Sequence, residues 1–588
     1  MKTFLSRSAI SRMYAAIIVI IVIVAAIAGG LYYGGYFGPG PSPTPGPSPS
    51  PSPSPSPSPS PSPSPSPSPT PTVNRTLTAA YIFPCYVDPH VIAGSETCSI
   101  AHTNLYDTLV YIDENANVIP SLSTNWSTSA DNLNYTFSLR KGVKFHDGTE
   151  VKAEDVEFSM KRLLGMGLGY SYLFSSYVTG AKALDDYTVQ ITLNKTSGLF
   201  LLSMTRLYIV NKDLVTAHIV KPGPYGDYGD YGKAYLTDHD AGSGAYTLKE
   251  YRAEELVVLE RFDNYWQPFA PKAPTEVRMT PTYEPTTVRS LMANRQLDIS
   301  HSFLPPETLS ALDQIQGIDL YMTNPMGCVM WLTLHSHKAP TDDVHVRRAL
   351  LYAFDYVQAA QIIGYGSQPP VSISSPDIWG YNPNSYHYMY DLTKAMEELN
   401  QSKYTAGQLG QYELELHWCN SVPFEEELAM VFATGAQQLG LKVKIVATPW
   451  LQMVQESGDM EQTPHVMIVY GHCTIPDTGE MISMGLSSSA KGETTAQAWA
   501  LNDTLDAMIE DAITTTDPSA RLQKYAELQS EVMRDAYILP AGTGRIEVFA
   551  YQHYYVDWDP KPVALMGGHQ NFRLFNYYPE KKAELLGT

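Results

Sequence analysis

The chain has 588 residues, 44% of them hydrophobic, and a formal net charge of −21. That acidic balance, spread along the sequence, excludes nucleic acid as a partner. The hydrophobic content is that of a globular protein, and the length exceeds one hydrophobic core, so two or more domains or lobes are expected.

Lys2, Arg7 and Arg12 precede Ala15 to Leu31, an uncharged and mostly aliphatic run about long enough to span a bilayer. Residues 1–38 are therefore expected to be a signal or transmembrane anchor with the N-terminus in the cytoplasm, at the surface of the cell membrane, and the bulk of the chain outside. A cleaved secretory signal is the rival reading. Residues 39–72 alternate Pro with Ser, Thr or Gly, which forbids helix and sheet and favours an extended polyproline II stalk. Cys85, Cys98, Cys328, Cys419 and Cys473 include no C-x-x-C pair, which argues against zinc or thioredoxin-like chemistry. Outside the cell disulfides are permitted, and Cys85–Cys98 is the local candidate.

Leu133, Tyr135, Phe137 and Leu139 alternate with Asn134, Thr136 and Ser138, the period of a half-buried strand. Asp147-Gly148 then reads as a tight turn, and Glu154 and Asp155 stand where a helix start favours negative charge. Val156, Met160, Leu163 and Leu164 follow at helical spacing. His146 and Asp147 invite a catalytic reading, but no nucleophile or metal pattern surrounds them, so they are read as turn residues. Further on, Leu428, Val431, Phe432, Gly435 and Leu439 share one helix face, and Gly440 stops that helix before a strand over 441–446. Helix–strand alternation of this kind predicts α/β lobes.

Motifs for catalysis are missing. There is no G-x-x-x-x-G-K-[ST], G-x-S-x-G or H-E-x-x-H. Asp113 to Val118 begins like a calcium loop but has Val118 where Gly is needed. His335, His337 and His345 do not amount to a metal site. No enzyme activity, metal or cofactor is expected.

The segment from Gly142 to Leu164, "GVKFHDGTEVKAEDVEFSMKRLL", resembles the signature of the family 5 extracellular solute-binding proteins, the peptide and oligosaccharide receptors of ABC importers. Val143, Phe145, His146, Asp147, Gly148, Ala153, Asp155, Val156, Phe158 and Ser159 match its V-x-F-H-D-G…A-x-D-V-x-F-S pattern. Lys152 stands where a capping Ser or Thr is common. "GSGAYTLKEYRAEELVVLERFDNYW", "YEPTTVRSLMANRQLDI" and "LHSHKAPTDDVHVRRALLYAFD" continue the likeness in order, from about Val73 to the C-terminus. With the anchor and stalk, the layout is similar to the archaeal type.

The resemblance implies a large two-lobed α/β fold of the type II periplasmic-binding-protein kind, with an extra subdomain in lobe one. Lobe one is expected over 73–324, lobe two over 325–533, and a return to lobe one over 534–588. It also implies a solute held between the lobes by hinge closure, with ABC permease and ATPase subunits as partners. Ligand-facing residues are expected at Trp331, Trp379, Tyr381, Trp418, Asn420, Tyr470, His472, Cys473, Thr474 and Asp477, with a Cys328–Cys473 disulfide near the hinge. In peptide binders of the family an Asp in this last loop pairs with the peptide ammonium, and here Thr474 takes its place. A neutral hydroxyl suits an oligosaccharide better than a peptide, and the aromatic rings would stack on sugars. A shifted alignment makes Asp477 the ammonium partner and keeps peptide open. A surface hydrolase and a structural surface-layer protein are the alternatives from other classes.

Overall fold

The alternating segment forms the strand Asn134–Leu139, with Tyr135, Phe137 and Leu139 buried and the residues between them half-buried. In the computed structural model, residues 74–587 are described apart from 83–84, 93–95, 114–116, 324–328, 365, 423, 472–473, 493–495, 544–546 and 559–569. Thr72–Thr588 form one compact unit. The expected anchor and stalk lie outside the described residues, among which no helix is long and apolar enough to cross a membrane.

Asn134–Leu139 lies in a four-stranded antiparallel sheet of order Ser123–Thr128, Asn134–Leu139, Thr188–Leu193, Val178–Asp185. The helix Ala153–Met166 packs across that sheet and buries Val156, Met160 and Leu163. Each such side chain contributes about 1.5–3 kcal/mol of burial. Lys152 brings no capping oxygen, and Asp155 does the work from inside the helix. One carboxylate oxygen accepts the Lys152 N–H at 2.8 Å and the other accepts the Lys212 N–H at 2.9 Å. A second four-stranded sheet sets Thr76–Tyr81 parallel to Glu276–Pro281, followed by Leu256–Arg261 and Tyr246–Arg252. Both sheets share one core with Phe137, Phe200, Tyr246 and Leu259.

The other half is built on a five-stranded sheet of order Lys442–Thr448, Glu413–Cys419, Val466–Gly471, Val329–Leu334, Ile538–Thr543. The first three strands are parallel, and Val329–Leu334 runs antiparallel to both its neighbours. The parallel strands are joined by the helices Phe424–Gln438 and Trp450–Ser457, as α/β alternation requires. The expected helix face is buried at Leu428, Val431, Phe432 and Gly435. Gly435 is required there, because a Cβ would lie 2.2 Å from the Ala353 carbonyl oxygen.

Two chain segments run from one half to the other, and they do so side by side. Asp319–Thr323 pairs with Glu547–Tyr551, and the next strand of each segment, Val329–Leu334 and Ile538–Thr543, pairs again in the five-stranded sheet. The strand Ile538–Thr543, inside the segment 534–588 expected to return to lobe one, pairs in the five-stranded sheet.

Candidate functional site

The two halves meet at the loop that follows the strand Val466–Gly471. Ile475 in this loop is buried in the core of the first lobe. Beside it, the Thr474 hydroxyl donates to Glu480 Oε1 at 2.8 Å and lies 2.7 Å from the Tyr172 hydroxyl of the first lobe. Tyr172 also donates to the same Glu480 oxygen at 3.2 Å. Arg206, again from the first lobe, donates from Nε to the Thr474 carbonyl at 2.7 Å. Burial pushes the Glu480 carboxyl up to about 8, against the pull of the hydrogen bonds it accepts from Thr474 and Tyr172. It is therefore held largely protonated at neutral pH, a neutral member of a hydroxyl–carboxyl cluster between the lobes.

Asp477 is buried one turn away and is the N-cap of the helix Thr478–Leu486. Its carboxylate accepts the Gly479 N–H at 2.8 Å and the Tyr525 hydroxyl at 2.6 Å, and Arg521 Nη2 lies 3.8 Å away. Burial raises its pKa against the opposing pull of Arg521. Trp379 joins the same group, with the Arg521 guanidinium 4.3 Å from its ring centroid and the Tyr525 ring edge-on at 5.6 Å. Thr474, Asp477 and Trp379 are thus brought together, but the polar atoms of the first two are already engaged by protein groups.

The other expected positions are not part of this cluster. Trp331 is completely buried under the five-stranded sheet, with Nε1 donating to the Ile373 carbonyl at 3.0 Å. A Cβ on Gly471 would lie 2.1 Å from its ring, so this indole is core packing and not an open stacking platform. Trp418 is buried in the same core. Asn420 is exposed at the end of that strand, its N–H donating to the Thr448 carbonyl. Tyr470 is half-buried and meets Phe303 edge-on at 5.8 Å, and Tyr381 is half-buried in the loop after Trp379. His472 and Cys473 lie outside the described residues, as does the Cys328–Cys473 pair. The expected Cys85–Cys98 disulfide is corrected. The two residues are buried as thiols in contact with one another. The Cys85 thiol is held well above its ordinary pKa by its hydrogen bond with Cys98 and by burial, and the Cys98 sulfur accepts the Tyr86 N–H at 3.1 Å.

His146 and Asp147 are struts, as the turn reading expects. His146 Nδ1 is 2.5 Å from Asp240 Oδ1, and Nε2 is 3.1 Å from the Gly244 carbonyl. Asp147 accepts from Thr149 and Asn211 within its own lobe. His335 is buried against the Met460 carbonyl, and His345 pairs with Glu398 at 2.7 Å. Among the described residues no three His, Cys, Asp or Glu side chains converge as metal ligands.

Sequence reasoning missed Arg206, Tyr172 and Glu480. Two signals were present. Arg206 is a lone charge inside the apolar stretch "LLSMTRLYIV", where a buried charge needs a reason. Asp477 and Glu480 stand in the D-x-x-E spacing of a capping box, which marks a helix start and not a ligand. Tyr172 gave no signal among forty tyrosines.

This architecture has known counterparts. It superposes on the periplasmic binding protein DppA from Helicobacter pylori in complex with peptide STSA with a TM-score of 0.74 at 23% identity, covering 85% of this chain and 98% of that one. Among curated proteins, the dipeptide-binding protein of Escherichia coli strain K12 is 28% identical over 477 residues, 76% of this chain and 85% of the relative. The heme-binding protein A of Haemophilus influenzae is 26% identical over 483 residues, 78% of this chain and 85% of the relative. The family profile of the bacterial extracellular solute-binding proteins, family 5, matches residues 117–493. The chain belongs to that family, the solute-binding components of ABC importers, which are binding proteins and not enzymes.

Proposed function

We propose that this protein captures an oligopeptide between its two lobes and delivers it to an ABC permease, tethered to the outer face of the cytoplasmic membrane by its N-terminal helix and stalk. The ligand class is carried by the likeness to the dipeptide-binding protein of Escherichia coli. The preference for an oligosaccharide rested on Thr474 as an open neutral hydroxyl, and that hydroxyl is engaged by Tyr172 and Glu480. Asp477 is likewise engaged as a helix cap, so it is not the ammonium partner in this reading. Lobe one comprises 73–324 with the segment after 543, and lobe two lies between them; the paired crossing strands are the hinge. The charge-free run at 15–31 supports the tether.

Titration calorimetry with alanine peptides of two to seven residues, and chromatography of the same mixtures, tests this reading. Saturable binding without cleavage is the expected result. Binding of neutral oligosaccharides in place of peptides would contradict it.

A further inference from the structure

The lobes also meet where the helix Asp503–Thr514 of lobe two ends against the loop 195–198 of lobe one. The last four carbonyls of any helix have no partner within the helix. Here two of the four are met from lobe two itself. The Thr515 hydroxyl donates to the Asp511 carbonyl at 2.7 Å, and the Thr515 N–H donates to the Ala512 carbonyl at 3.3 Å. The other two are met from lobe one. The Gly198 N–H donates to the Ile513 carbonyl at 2.9 Å, and the Thr196 hydroxyl donates to the Thr514 carbonyl at 3.0 Å. Lys195 pairs with Glu510 one turn back, which sets a cation at the negative end of the helix. The Ile513 side chain packs against the cores of both lobes.

Gly198 is the tightest point of this contact. A Cβ there would lie 1.8 Å from Arg521 Nη1 and 2.5 Å from the Thr515 carbonyl oxygen. The arginine tip can swing aside, but a backbone carbonyl fixed at a helix end cannot. The nearest atoms all belong to lobe two, and the Gly198 φ is not left-handed. Glycine is therefore needed for the approach of the other lobe and not for the path of its own chain. Arg521, the wall of this socket, is itself held 4.3 Å from the Trp379 ring centroid and 3.8 Å from the Asp477 carboxylate. Trp379 and Asp477 thus back the contact from within lobe two.

We propose that the loop 195–198 is a clasp that completes the helix Asp503–Thr514 only when the lobes are together, and so holds them closed over the captured solute. Neither side of the clasp lies on the paired crossing strands, so it acts separately from the hinge. Its effect on solute retention rests on the solute-capture reading, whereas its geometry does not.

The test follows the full chain by amide hydrogen exchange with mass spectrometry and by calorimetric titration with tri-alanine. In Gly198→Ala the added methyl group forces the two sides apart. Exchange over 195–203 and over 508–516 is expected to quicken about tenfold or more, while the helix Ala153–Met166 keeps its protection. Tri-alanine affinity is expected to fall by a similar factor. Thr196→Val removes one hydrogen bond and is expected to move both readings about fivefold. It carries the test if Gly198→Ala does not fold. Unchanged exchange at both segments overturns the clasp, and so does a loss of protection that spreads to the helix Ala153–Met166. Faster exchange with unchanged tri-alanine affinity overturns it too, because the contact then retains no solute. If the unaltered chain binds no tri-alanine while exchange responds as expected, the clasp stands and the peptide reading falls.

Discussion

The turn at His146 and the loop at Thr474 both bury ionisable groups, and they differ in how completely those groups are satisfied. At the first, burial alone would lower the His146 pKa, but Asp240 beside it raises it. Burial alone would raise Asp240, but His146 and backbone donors from Leu248 and Gly242 hold it down. The pair is closed within one lobe and needs nothing from outside. At the second, among the described residues no cation pairs with the buried Glu480 and no carboxylate with the buried Arg206, and the contacts join opposite lobes. The sequence-loud segment is thus scaffold, and the quiet loop is where the two lobes are joined.

The comparison breaks most severely if one member of the closed pair is removed. Asp240→Ala leaves the buried His146 Nδ1 and the Leu248 and Gly242 N–H groups without their acceptor and is expected to cost about 3–5 kcal/mol of stability in a denaturant titration. The solute preference of the protein that still folds should be unchanged, because the His146 ring bonds only to Asp240 and Gly244 of its own lobe. A changed preference would place His146 in the site after all.

The open cluster gives a pH dependence instead. The Glu480 pKa is raised in the assembled cluster above its ordinary value of 4.5. Its contribution is therefore fully present below about 4.5 and is lost as pH rises towards about 8. The slope is at most about 1.4 kcal/mol per pH unit. Lobe association, followed by small-angle scattering, should loosen over that window, and Glu480→Gln should flatten the response. An unchanged pH profile in that variant would show that the carboxyl stays ionised.

The smallest expected effect belongs to the bridge itself. Tyr172→Phe removes the hydroxyl that joins Thr474 and Glu480 across the lobes, worth about 1 kcal/mol. Solute affinity should fall about fivefold, with thermal stability of the separate lobes nearly unchanged. Equal losses in both would mark Tyr172 as ordinary core.

The difference between the two regions also explains what could be read in advance. Strand, turn and helix over 133–164 were legible because hydrophobic period, Gly148 and the acids at 154 and 155 all point one way within a few residues. The helix over 424–438 was legible for the same reason, and Gly440 indeed has a left-handed φ of 78°. The site was less legible because its contacts join residues about three hundred positions apart, as Tyr172 and Thr474 do. The family resemblance pointed to the loop of Thr474 and Asp477, but not to the partners that engage them. Trp331 misled for a related reason, since an indole on a strand looks alike whether it faces a cleft or Gly471.

The most direct test of solute capture is mass spectrometry of small molecules released when protein purified from its native source is denatured. The account predicts peptides, in amounts approaching one per chain. Release of a neutral oligosaccharide in that amount would contradict it.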